Sequence, residues 1–298
     1  MQRKDLTTEG WKDYELLDSG DGMKLERFGE VLTSRPETQA IWKPLRPELW
    51  KKAQAVFEWK EGKSIWEHSS QIPESWPLAW NDIKFTARLT SFKHTGIFPE
   101  QAANWEWLAE QISKAPPQVK PAERAVTEPV KVLNLFGYTG IASVVAAHAG
   151  AIVTHIDASK QSLDWAHDNA RLSGITEGQI KYLFEDAVAF VKREARRGNK
   201  YDGIILDPPA FGRGAKGEVW KIEEQLQDLV ATTKELLCDK PGSFYLLNGY
   251  AAGYSAQSFA QLVESVFGDV SISYGDLNIK ESASDRVIPA GIYTSFVR

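Results

Sequence analysis

The chain has 298 residues, 43% hydrophobic and 25% charged, with a formal net charge of −5. That balance belongs to an ordinary globular protein with length for a sizeable core, and it excludes a strongly basic, non-specific nucleic-acid binder. One cysteine excludes an internal disulfide framework; no long apolar run suggests a membrane span and the polar N-terminus lacks a signal-peptide core, so a cytoplasmic protein without membrane contact is expected.

In chain order, residues 14–41 read as short strands broken by a turn cluster at Ser19-Gly20-Asp21-Gly22. Residues 49–57 have a helical pattern, Glu61-Gly62 reads as a hairpin turn, and 83–89 as a strand. Residues 1–92 are therefore expected to form a small β-rich module, with a substrate face as its candidate role. Many of the 11 tryptophans fall in or near it. They have two readings, core packing or platforms on which bases stack.

Lys93-His94-Thr95-Gly96-Ile97-Phe98-Pro99-Glu100-Gln101 leads into a helix expected at 102–113. Such a turn presents backbone N–H groups suited to a carboxylate or phosphate, or it simply starts a helix. Residues 115–129, with four prolines, read as an exposed connector.

The next stretch organises the chain. A buried strand at 132–136, a turn from Gly137 to Gly140, a small-residue helix and a second strand at 152–156 ending in Asp157 make a β-α-β unit. A carboxylate at that tip can bind both hydroxyls of a ribose. Only two of the three glycines of the dinucleotide fingerprint are present, so a nucleoside-type ligand without a pyrophosphate fits better than NAD.

A helix at 159–173 follows, capped by Ser159, then a strand at 180–184, Glu185-Asp186-Ala187 and a helix through Arg197. Arg193, Arg196 and Arg197 near its end either complement the helix terminus or contact phosphate. A strand at 201–206 ends in Asp207-Pro208-Pro209-Ala210-Phe211. Helix 223–237, strand 242–248, helix 255–267 and two closing strands at 270–277 and 292–297 complete the pattern. The fold class is α/β: a seven-stranded, mostly parallel Rossmann-like sheet with helices on both faces, plus the β-rich module.

Ligands of such sheets lie at the C-terminal strand ends. Three acids stand there. Asp157 suits a ribose, and Asp186 with the Ala187 N–H suits an adenine edge; the alternative is helix capping. In Asp207-Pro208-Pro209 the prolines fix the corner and remove two N–H donors. What remains, a carboxylate and carbonyls, can accept from an exocyclic amine while Phe211 stacks on the ring, unless the corner is only a rigid turn. No histidine shows metal-ligand spacing, so no metal is expected.

The motifs K-H-T-G-I-F-P-E-Q, V-L-N-L-F-G-Y-T-G, H-I-D-A-S, F-E-D-A and D-P-P-A-F run in order over roughly residues 93–211. As a set they resemble the class I S-adenosylmethionine-dependent methyltransferases, within them the bacterial large-subunit rRNA methyltransferases of the cytosine-C5 and guanine-N7 type. The resemblance implies S-adenosyl-L-methionine as cofactor, an RNA substrate, and residues 93–298 as the methyltransferase domain. It implies that Asn134, Phe136, Gly137 and Gly140 hold the methionine part. Asp157, in the motif with Ser159, holds the ribose, and Asp186 with Ala187 meets the adenine. The Phe98-to-Gln101 turn covers the cofactor, and Asp207, Pro208 and Phe211 face the target base.

One departure matters. The cytosine-C5 enzymes place a cysteine just after the fifth strand, where this chain reads Leu247-Asn248-Gly249-Tyr250-Ala251-Ala252-Gly253-Tyr254. Non-covalent in-line attack by a nitrogen is the expectation. Its rivals are methylation of a protein or small molecule, a Rossmann oxidoreductase, and a non-catalytic cofactor-binding module.

Overall fold

The computed structural model describes residues 1–60, 63–115, 118–119, 127–214, 217–250 and 253–298. Glu61-Gly62, most of the proline-rich connector and Ala251-Ala252 lie outside the described residues. The chain forms two compact units. One comprises Met1–Asp5, Asn104–Asp276 and Gly291–Arg298; the other comprises Leu6–Ala103 and Leu277–Ala290. The cut at 103/104 differs from the expected 92/93 because the Lys93-to-Gln101 run is tied into the β-rich unit. Arg35 donates to the Lys93 carbonyl at 3.2 Å, Arg88 N–H to the Thr95 carbonyl at 3.1 Å, and the Thr8 hydroxyl to the Pro99 carbonyl at 3.0 Å.

The sheet of the first unit has the order Ile180–Phe184, Ile152–Asp157, Lys131–Leu135, Gly203–Leu206, Phe244–Gly249, Val287–Val297, Ile272–Lys280, Gln2–Arg3. The first five strands are parallel, and Phe244–Gly249 pairs antiparallel with the C-terminal strand. These include the seven strands expected. Two short strands add to Ile272–Lys280 and bring the sheet to nine: Gln2–Arg3 at Ser273 and Tyr274, and Leu6–Thr8 at Leu277, Asn278 and Ile279, although both read as part of the N-terminal module. Chain order reverses between Lys131–Leu135 and Gly203–Leu206, which is where an open α/β sheet opens a crevice.

Helices Ile141–His148 and Lys160–Leu172 pack together, while Ala187–Arg197, Ile222–Leu236 and Ala256–Phe267 form another layer. Leu133, Leu206, Leu226, Val230, Tyr245 and Phe259 share the core beneath that second layer. Every residue of Gly203–Leu206 and Phe244–Gly249 is buried, as parallel strands covered on both faces require.

The second unit carries a five-stranded sheet in the order Tyr14–Gly20, Met23–Phe28, Val31–Pro36, Ala55–Lys60, Lys63–His68, and a hairpin of Trp76–Trp80 with Ile83–Ala87. Its expected helix at 49–57 is corrected: helix is confined to Pro47–Trp50, and Ala55–Lys60 is a strand burying Ala55 and Phe57 on one face. The connector is corrected in part, since Gln118–Val119 pairs antiparallel with Thr127–Glu128. Among the described residues no helix is long and apolar enough to cross a membrane. Packing accounts for Trp76, Trp80, Trp105, Trp165 and Trp220, all buried.

Candidate functional site

Backbone hydrogen bonds join the strand ends of the first unit into one continuous rim. Asp207 N–H reaches the Leu135 carbonyl at 3.4 Å, Gly137 N–H the Ile156 carbonyl at 3.0 Å, and Glu185 N–H the Asp157 carbonyl at 3.1 Å. Each acid expected at a strand end therefore sits beside its neighbour. The rim holds Asn134, Phe136, Gly137, Gly140, Asp157, Ser159, Asp186, Ala187, Asp207, Pro208 and Phe211. Phe98 and Gln101 belong to the other unit, where Gln101 is buried and its N–H bonds the Phe98 carbonyl at 3.0 Å.

The glycine turn is built on unusual backbone angles. Left-handed φ values fall on Phe136 (57°), Tyr138 (49°) and Gly140 (78°), not on Gly137. Two aromatic residues in that region store about 1–2 kcal/mol each, the kind of strain that tight packing must enforce. A Cβ on Gly137 would lie 2.3 Å from His155 Cε1, and one on Gly140 would lie 2.6 Å from the Ala166 Cβ. Both glycines are thus required by the strand and helix behind the turn.

Beneath it runs a buried polar chain. Asn134 Nδ2 donates to Ser143 Oγ at 2.8 Å, and Ser143 Oγ lies 2.9 Å from His155 Nδ1. Burial lowers the His155 pKa to about 3, so the ring is neutral and Nδ1 can accept the Ser143 proton. This fixes the base of Asn134 and leaves the turn a rigid floor.

Asp157 Oδ2 accepts the Tyr138 N–H at 2.8 Å, and Oδ1 accepts the Ser159 N–H at 2.8 Å. Burial raises its pKa against the pull of these neutral donors. The carboxylate keeps acceptor capacity beyond these backbone donors, which a hydroxyl pair such as a ribose diol could use. The Ser159 hydroxyl caps Lys160–Leu172 through the Ser162 N–H at 3.2 Å.

Asp186 also caps a helix, Oδ1 accepting the Ala189 N–H at 2.8 Å, with Ala187 opening Ala187–Arg197. The basic cluster has a local explanation: Arg193 makes two bonds to Glu185 and Arg197 bonds Glu194 at 3.1 Å. Helix-end ion pairing is the reading the geometry favours.

After Asp207, Pro208 is buried and Pro209 exposed. A feature that periodicity does not reveal follows, a hairpin of Phe211–Arg213 with Val219–Lys221. Trp220 anchors it: its indole N–H donates to the Pro209 carbonyl at 2.6 Å, and its ring lies 5.1 Å from that of Phe136. The Asp207-Pro208-Pro209 corner and the glycine turn are thereby packed through one side chain. A Cβ on Gly214 would lie 3.1 Å from Asp186 Oδ2, so the hairpin also passes beside that carboxylate. A buried amide pair was equally missed: Asn104 Nδ2 donates to Asn248 Oδ1 at 3.0 Å, at the end of the fifth parallel strand. The available signal was a polar residue on the buried stripe of Ala102–Lys114, beside Trp105 and Leu108.

Residues 52–254 match the S-adenosylmethionine-dependent methyltransferase family. A crystal structure described as a SAM-dependent methyltransferase from Agrobacterium tumefaciens is 38% identical, with a TM-score of 0.90 over 99% of this chain and 93% of that one. Ribosomal RNA large subunit methyltransferase I of Aeromonas salmonicida is 27% identical over 97% of this chain and 69% of its own. Ribosomal RNA large subunit methyltransferase K/L of Pseudoalteromonas atlantica is 29% identical over 72% of this chain; the match spans 27% of that relative's length.

Proposed function

The chain belongs to the S-adenosylmethionine-dependent methyltransferase family, and on that premise we propose that it methylates a base of RNA, of the ribosomal kind, by direct attack of a base nitrogen. S-adenosylmethionine, when bound, supplies an electrophilic methyl group on a positively charged sulfur. In this reading Asp157 takes the ribose hydroxyls on the lone pairs that Tyr138 and Ser159 leave. The second oxygen of Asp186 and the Ala187 N–H take the adenine edge. Asn134, Phe136, Gly137 and Gly140 hold the methionine end. For Phe98 and Gln101, cofactor contact rests on the sequence motif.

The observation that carries the reading is the Asp207-Pro208-Pro209 corner, bonded to the first strand's end beside the glycine turn. Lacking proline N–H donors, it is an acceptor surface. Asp207 and the Pro208 carbonyl receive the N–H groups of the target base and aim the nitrogen lone pair, while Phe211 stacks on the ring. Rate enhancement then comes from in-line positioning. A covalent route through C6 lacks its nucleophile, since the sole cysteine, Cys238, is bonded through its N–H to the Tyr201 carbonyl at 2.8 Å, before the Gly203–Leu206 strand begins. Burial raises its thiol pKa further from the reactive thiolate. An RNA acceptor is supported by the large-subunit rRNA methyltransferases among the relatives.

The test is methyl transfer from radiolabelled S-adenosylmethionine to the rRNA, protein and metabolite fractions of a strain lacking the gene, followed by nucleoside analysis. Label in an N-methylated base of rRNA is expected. Label confined to protein or metabolites would overturn the RNA assignment, and a C-methylated base would overturn the nitrogen.

A further inference from the structure

Beyond the corner itself, the hairpin that follows it has two unlike faces. Gly212 and Trp220 point one way, and Trp220 is buried against Pro209 and Phe136. The other face carries Phe211 opposite Lys221 and Arg213 opposite Val219. Phe211 is 56% exposed and Val219 46%. The result is a checkerboard of two apolar side chains and two cations, beginning two residues after Pro209. Cross-strand and diagonal neighbours on such a face lie about 5–8 Å apart, so one ligand strand can meet all four.

We propose that this face is the docking surface for the RNA strand bearing the acceptor base. Arg213 and Lys221 contact phosphates on either side of a nucleotide that stacks on Phe211. The proposal rests on RNA as the acceptor and adds where its backbone is held. Three observations favour a single-stranded nucleic acid over an apolar partner. The cations alternate with the apolar groups, the pattern that combines backbone tracking with stacking. Arg213 has no ion-pair partner among the described residues, and Lys221 has only the exposed Glu224 at 2.7 Å, a pairing that a phosphate readily replaces. The face is also rigidly joined to the corner through the Trp220 bond to Pro209. In a chain of net charge −5 such a surface supplies a local cationic site rather than general affinity.

The experiment measures binding of a fluorescein-labelled, mixed-sequence single-stranded RNA by anisotropy across a salt series, beside rRNA methylation and S-adenosylhomocysteine calorimetry. For the Arg213→Glu/Lys221→Glu variant, RNA binding is expected to weaken at least ~10-fold. Its logarithmic salt dependence should fall by roughly 1.4, the loss of two phosphate contacts on a single strand. S-adenosylhomocysteine affinity should stay within about twofold, which certifies the fold. Glu224→Gln, which frees Lys221, should bind RNA more tightly. Unchanged RNA affinity and salt slope in the charge-reversed variant, with wild-type methylation of rRNA intact, would overturn this surface while leaving the RNA acceptor standing. A wild-type protein that labels only protein or metabolites would overturn both.

Discussion

Gly137 and His155 share one space: the imidazole ring lies where a side chain on the glycine would have to go, 2.3 Å from a Cβ at its closest atom. The glycine is therefore held by a neutral, buried histidine from the neighbouring strand, the same histidine that receives the Asn134–Ser143 chain. Gly137→Ala should destabilise the protein by about 1–3 kcal/mol through overpacking. His155→Ala should cost about 2–4 kcal/mol through the cavity it leaves. Combined, the two should cost less than their sum by about 1 kcal/mol or more, because each relieves the other. Urea unfolding of the four proteins checks this, and strict additivity would show that the ring does not set the turn.

Asp157 is a desolvated carboxylate whose donors are all backbone N–H groups. Asp157→Asn would set an amide N–H against either Tyr138 or Ser159. Loss of a charge-assisted pair of bonds to the ribose should weaken S-adenosylhomocysteine binding about 10- to 100-fold. For the wild type the sign follows from the raised pKa. Hydroxyl donors favour the ionised form, so affinity should fall as pH drops through the raised value of Asp157. Calorimetry of wild type and variant as a function of pH checks both; a variant with wild-type affinity removes Asp157 from the cofactor site.

The parallel core was legible because buried strands, small-residue helix and strand-end acids write themselves as apolar runs closed by Asp157, Asp186 and Asp207. What stayed hidden was decided by contacts distant in sequence. Residues 49–57 have a helical spacing, yet Ala55 and Phe57 face a sheet core that only the paired strands create. Gly137 and Gly140 read as the residues that let the backbone turn, yet left-handed strain also falls on Phe136 and Tyr138, while Gly137 is needed for the space that His155 fills from behind. The Phe211–Lys221 hairpin has strands of three residues, too short for an alternation signal, and is fixed by Trp220 on a proline carbonyl. Gln2–Arg3 carries no pattern of its own; it is a strand because an edge at Ser273 accepts it.

Asp207 and Trp220 separate two ways of disturbing the acceptor corner. Asp207→Ala removes the carboxylate proposed to receive the base and should lower kcat at least ~100-fold with little change in S-adenosylhomocysteine affinity, the pattern of a group acting at the transferring centre. Trp220→Phe keeps an aromatic ring against Phe136 but deletes the bond to Pro209, at a cost of about 1 kcal/mol in stability. A smaller fall in kcat, about tenfold, is expected as the corner loosens. Single-turnover kinetics on the identified RNA checks both, and a wild-type rate for Asp207→Ala would remove the corner from catalysis.

Glu100, in the motif ahead of Ala102–Lys114, is buried, and that burial raises its pKa to about 7 against the pull of Lys24 and Arg35. The nearby Glu26 behaves oppositely: burial would raise it, but Arg35, bonded at 2.9 Å, and Lys24 outweigh burial and lower it to about 2. A carboxyl with a raised folded pKa contributes stability that is complete below its ordinary 4.5 and lost as pH rises through about 7. His94, lowered to about 4 by burial and then by Arg35, runs the other way between its ordinary 6.5 and about 4, so the bare wild-type profile mixes two signs. The difference between wild type and Glu100→Gln isolates the carboxyl. The two proteins should unfold alike near pH 4, and above pH 7 the glutamine variant should be more stable by about 2–3 kcal/mol. Urea denaturation from pH 4 to 8 measures this, and a pH-independent difference would show that Glu100 ionises as freely in the folded chain as in the unfolded one.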